Sequence, residues 1–92
     1  MEDQEYWYRY RDDWGFNNQV VIHLEELPVL KHTPKGVWLG NYWEKRFVLN
    51  DARKRYAYPT KEEAMASFKI RKKKHLQYLE RDLDKINRVM HY

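Results

Sequence analysis

Ninety-two residues, 42% of them apolar and 16% aromatic, suit one folded domain and exclude both a disordered chain and a multidomain one. Eighteen basic against fourteen acidic side chains leave a net charge of +4, so the placement of charge matters more than its sum. There is no cysteine, which removes disulfides, thiolate nucleophiles and thiolate metal sites, and fits a reducing, cytoplasmic setting.

The start, Met1 to Glu5, is acidic and polar where a secretory signal would be basic and then apolar. No apolar run approaches the ~20 residues that span a bilayer, so neither a leader nor a membrane segment is expected. Glu5 to Arg11 alternates as a strand should, with Tyr6, Tyr8 and Tyr10 on one side and Trp7, Arg9 and Arg11 on the other. Asp12 to Asn18 supplies turn residues, and Gln19 to Glu26 forms a second strand with Val20, Ile22 and Leu24 on one face. Pro28 interrupts that strand or sits at its edge, because it has no N–H to give to a ladder.

The run Thr33-Pro34-Lys35-Gly36 reads as a tight turn, with proline presetting φ and glycine free to take a positive one. Strands over 37–43 and 45–49 follow, and 54–58 could form a last short one before Pro59. Short links favour antiparallel neighbours in chain order.

A helix begins at Thr60. Thr60-Lys61-Glu62-Glu63 matches a capping box, and no glycine or proline interrupts the chain from there to Met90. At 100° per residue, Met65, Phe68, Leu76, Leu79, Leu83, Ile86 and Met90 fall in one stripe. Thirty helical residues span ~45 Å and a seven-residue strand ~23 Å, so the helix overshoots its sheet. Either it breaks near residues 72–74, or its distal half buries the stripe against another helix or a second copy of the chain. A homodimer through the distal helix is one expectation, since Leu76, Leu79, Leu83, Ile86 and Met90 keep a/d heptad spacing. The expected fold is therefore α+β and a single domain over 1–92. Residues 5–58 give a four- or five-stranded antiparallel meander sheet, and residues 60–90 give one long C-terminal helix, packed on one face and projecting beyond it.

Catalytic chemistry finds little support. The histidines 23, 32, 75 and 91 lack close ligand spacing, so no metal site or cofactor is expected. Glu25-Glu26 and Asp12-Asp13 point to opposite faces of a strand and form no facing carboxylate pair. The glycines are isolated, which excludes a phosphate loop. No base and orienter accompany the few hydroxyls.

Binding chemistry is better represented. A chain this short has little with which to cover both faces of the first strand, so one aromatic face is expected to stay exposed as a recognition surface. Trp7, Arg9, Arg11, Trp38 and Tyr42 are the candidate partner-binding residues, of the types enriched at protein hot spots. Two basic clusters form a second candidate, a nucleic-acid surface of Arg53, Lys54 and Arg55 with Lys69, Arg71, Lys73 and Lys74, because such side chains release counterions from phosphates. The plainer alternative for the run at 69–74 is a solvated helix face, with Lys72 laying its stem over the core.

Thr33-Pro34-Lys35-Gly36-Val37-Trp38, and Arg53 to Ala64 running into Phe68 and Arg71-Lys72, resemble small uncharacterised proteins of tailed bacteriophages that share a TPKG turn and an AYPT-KEEA helix start. The resemblance implies the cytoplasm of an infected bacterium. Small phage proteins there commonly bind and block host machinery, such as a CRISPR effector or another defence complex, or bind nucleic acid; with the missing catalytic groups, the expectation is a non-enzymatic protein that inhibits or redirects a host factor by stoichiometric binding. The resemblance carries no site residues with it.

Overall fold

The computed structural model describes residues 4–41 and 43–92. Four antiparallel strands, β1 (Tyr6–Trp14), β2 (Val20–His32), β3 (Gly36–Gly40) and β4 (Lys45–Leu49), lie in chain order in one curled sheet, followed by a single helix α1 (Lys61–Met90). The α+β meander with one long C-terminal helix is thus the fold that the alternation and the capping signal foretold. The fifth strand does not form. Residues 50–60 run as turns and bends, and only Tyr58 pairs, with Tyr8, through hydrogen bonds of 2.6 and 2.9 Å.

That single bridge matters more than its length suggests. It sets the chain after β4 against the free edge of β1, so the sheet curls back towards its own first strand. Inside the curl sit Trp7, Val37, Leu39, Val48 and Ala57, with Leu27, Val29 and Tyr56 packed around them.

β2 runs straight through Pro28. The N–H of Val29 donates to the Glu5 carbonyl across β1, so the missing N–H of Pro28 falls on the opposite edge, where β3 pairs only from Val29 onward. Three turns set the strand connections. Phe16–Asn18 forms one short 3-10 turn in which Asn17 and Asn18 take the left-handed conformation that asparagine tolerates. The Thr33 hydroxyl both donates to the Gly36 carbonyl at 2.8 Å and accepts from its N–H at 3.1 Å, closing the predicted Thr-Pro-Lys-Gly turn. At the β3–β4 turn Gly40 has φ of 121° and the Asn41 carboxamide oxygen accepts from the N–H groups of Trp43 and Glu44.

Thr60 caps α1 by accepting from the Glu63 N–H at 3.2 Å, and Glu62 and Glu63 complement the positive end of the helix. The return bond of a capping box, from the Thr60 N–H to the Glu63 carboxylate, is absent among the described residues. The helix is continuous for thirty residues, without a break at 72–74, and only Ala64 and Phe68 are buried. Its first three turns lie on β1. The rest projects past the sheet, giving a molecule of 66 × 34 × 26 Å whose radius of gyration is 17.9 Å, against about 12 Å for a compact chain of this size.

Candidate functional site

Curling decides which aromatic face is exposed. At the start of β1 the odd side chains turn inward, so Trp7 is only 5% exposed and belongs to the core rather than to a recognition surface. Its indole N–H is buried without a hydrogen-bond partner among the described residues, and the nearby Glu5 carboxyl is held below its ordinary value chiefly by its hydrogen bond with His32. The even side chains Tyr8 and Tyr10 lie half-buried beneath α1, with the Tyr10 ring 6.3 Å from that of Phe68. Over Trp7 to Tyr10 both faces of the strand are covered where sequence reasoning left one open, because the curled sheet takes one face and the helix the other, whereas Tyr6 and the end from Arg11 to Trp14 stay exposed.

Arg9 is likewise committed within the molecule. Its guanidinium donates to the Tyr56 carbonyl at 2.9 Å and lies 4.3 Å from the Tyr56 ring, which Arg46 also approaches at 4.0 Å. Arg11 is exposed but paired with Glu25 at 2.6 Å. Tyr42 lies outside the described residues.

Among the described residues, Trp38 is the expected aromatic binding residue that faces outward. It alternates with the buried Val37 and Leu39, and the register of β3 with β4 puts Phe47 opposite it. The two rings stand 5.0 Å apart at 53° and remain 39% and 38% exposed. With Thr33, Pro34 and Lys35 they line a shallow groove of about 420 Å3. Gly36 keeps this surface close to the sheet: a Cβ there would collide with the Val48 carbonyl and come within 2.6 Å of the Phe47 ring. Register places Lys31 and Lys45 on the same side, and none of the residues lining the groove is acidic. The site is an aromatic shelf with a cationic margin.

Phe47, Pro34 and Lys35 were not among the sequence candidates. The signal for Phe47 existed as a matching parity with Trp38 across the hairpin, but using it requires the register, which only the paired strands show.

The basic candidate residues lie on two elements, the loop after β4 and the helix α1. Arg55 donates to the carbonyls of Ala52 and Asn50 and holds the loop after β4, which is pinned to Lys35 by the Asn50 N–H; Arg53 and Lys54 are exposed on that loop. Arg55 lies 5.9 Å from the Tyr58 ring, and Tyr58 in turn acts electrostatically on Arg71 of the helix run. Within the helix run, Arg71 donates to the Tyr10 carbonyl at 3.0 Å, and burial together with the nearby Arg9 pushes its pKa down. Lys72 pairs with Asp12 at 2.6 Å and holds that carboxyl below its ordinary value. Lys69, Lys73 and Lys74 are exposed and form no ion pair among the described residues.

No group of three or more metal-binding side chains gathers among the described residues, and no helix is long and apolar enough to cross a membrane. The fold and its surfaces define a small α+β chain with a curled sheet, an exposed aromatic shelf and a projecting helix. No protein-family model matches the chain, and no curated protein or solved structure matches it either.

Proposed function

We propose that this is a non-enzymatic binding protein, of phage origin, that occupies a protein of the bacterial host and so inhibits or redirects it, a defence complex being one such target. The observation that carries the reading is the Trp38–Phe47 shelf: two aromatic rings held by paired strands, open to solvent and bordered by Lys31, Lys35 and Lys45. Rigid aromatic side chains lose little entropy on binding and dominate interface energetics. The cationic margin favours an acidic partner surface, which would speed encounter.

The test is a comparison of immobilised wild type with Trp38→Ala in lysate of the bacterial host. A protein retained in stoichiometric amount by the wild type should be lost from the variant, since losing about 2 kcal/mol at a hot spot weakens affinity about 30-fold. Equal retention by both would overturn the assignment of the shelf.

A second reading, direct nucleic-acid binding, draws on Lys69, Lys73 and Lys74, which the chain's own described carboxylates leave unpaired. It requires affinity that falls steeply with salt, and the absence of any mobility shift at about 50 mM salt would dismiss it.

A further inference from the structure

The distal half of α1 and the outer half of β2 are uncovered on adjoining sides of one step. The register Tyr10↔Leu24, Asp12↔Ile22 and Trp14↔Val20 puts Leu24, Ile22 and Val20 on the sheet face that carries α1. The helix packs chiefly on β1, and these three side chains remain 37%, 53% and 62% exposed.

The flank of the helix that overlooks them follows from backbone hydrogen bonds. Tyr8 exchanges both of its bonds with Tyr58 on the edge of β1 away from β2, and Tyr10, two residues on, opens its carbonyl on that same edge. Arg71 reaches this carbonyl, so the Arg71 side of α1 faces away from β2. Relative to Phe68, Arg71 lies about 60° round one way, whereas Leu79, Leu83 and Leu76 lie about 20°, 60° and 80° round the other. The leucines therefore lean over the β2 side. Floor and wall are both apolar, and both are open.

We propose that a second copy of this chain fills the step, its helix running antiparallel to the first about a two-fold axis between Leu76 and Leu79. The heptad spacing sets Leu76 of one copy against Leu79 of the other, and Leu83 against the aliphatic stem of Lys72. In this register Lys73 meets Glu80 of the second copy and His75 meets Asp82, and symmetry makes each contact twice. Leu83 and Ile86 of each copy then cover Ile22 and Leu24 of the other.

A parallel pairing is disfavoured by the same residues. It would set Lys72 against Lys72 and Lys69 against Lys69, and it would leave the β2 floor bare. The antiparallel dimer is distinct from the Trp38 shelf, which lies on β3 and β4.

Light scattering at micromolar concentration should give twice the 11.5 kDa chain mass. Leu79→Glu and Ile22→Glu should each return the monomer with circular dichroism intact, since both side chains are already exposed in the single chain. Glu80→Lys should weaken association about tenfold, and adding Lys73→Glu should restore it, which a merely unstable helix would not do. Because the chain has no cysteine, single thiols report direction: mixed Leu76→Cys and Leu79→Cys proteins should cross-link to each other and neither to itself. A monomeric wild type, an Ile22→Glu protein that remains dimeric, or a Leu79→Cys protein that cross-links to itself would each overturn the proposal. Trp38→Ala should remain dimeric, so a failure at the shelf and a failure at the helix are read separately.

Discussion

Replacing Phe68 with alanine is expected to loosen the attachment of the helix more than any other single change in α1. Of its thirty residues only Ala64 and Phe68 are buried, and Phe68 alone is large. Its ring packs on Tyr10 and lies 5.7 Å from the charged ends of both Arg71 and Lys72, so its removal leaves a cavity and also strips two cations of their aromatic neighbour. Truncating a buried phenylalanine costs about 3–5 kcal/mol. A chain of this length has a total stability of roughly 5–14 kcal/mol, so the loss is a large share of the whole. At about 4–8 °C per kcal/mol, the lower figure already corresponds to at least ~12 °C in Tm. Thermal and urea unfolding followed by far-ultraviolet circular dichroism would read this directly. A fall of less than ~4 °C with helix content unchanged would mean that Phe68 does not anchor the helix, and the account of how α1 is held would fail.

Gly36→Ala should destabilise the β3–β4 pair by about 1–3 kcal/mol, because the added carbon meets the Val48 backbone and not merely a side chain that can swing away; urea midpoints would show it. Thr60→Ala should cost about 1 kcal/mol through loss of the hydrogen bond from the Glu63 N–H, again visible in the midpoint, and Thr60→Ser should recover most of it. The Asp12 carboxyl is held below its ordinary value of 3.8, chiefly by its hydrogen bond from Lys72. A carboxylate with a lowered folded pKa contributes stability that is present above its unfolded value and lost as pH falls through the folded one. Wild type should therefore be more stable than Asp12→Asn at neutral pH, and the two unfolding curves should converge below pH 3.8. A difference that persists at the acid end would assign the effect to packing instead.

Within single segments, the residues of this chain specify their local structure. Alternation around Tyr6 to Arg11, the turn residues at 33–36, the cap at Thr60 and the unbroken helical stripe to Met90 all act over a few residues, and each element appears in the fold, although Gly36 takes no positive φ and the Thr60 cap lacks its return bond. Even the overshoot of the helix followed from its length against that of a strand. The side of each strand that meets water was not legible in the same way. Trp7 and Trp38 have the same side chain and similar strand surroundings, yet one is in the core and the other on the surface.

Tertiary structure made that choice through contacts between residues far apart in the chain. The bridge from Tyr8 to Tyr58 curls the sheet so that Trp7 points inward, and the placement of α1 over β1 covers the opposite face. Periodicity can state that two sets of side chains point in opposite directions, but not which set finds a covering layer. That depends on strand register and on where a distant helix docks, so composition and spacing determined the elements of this protein, while long-range pairing determined its surfaces.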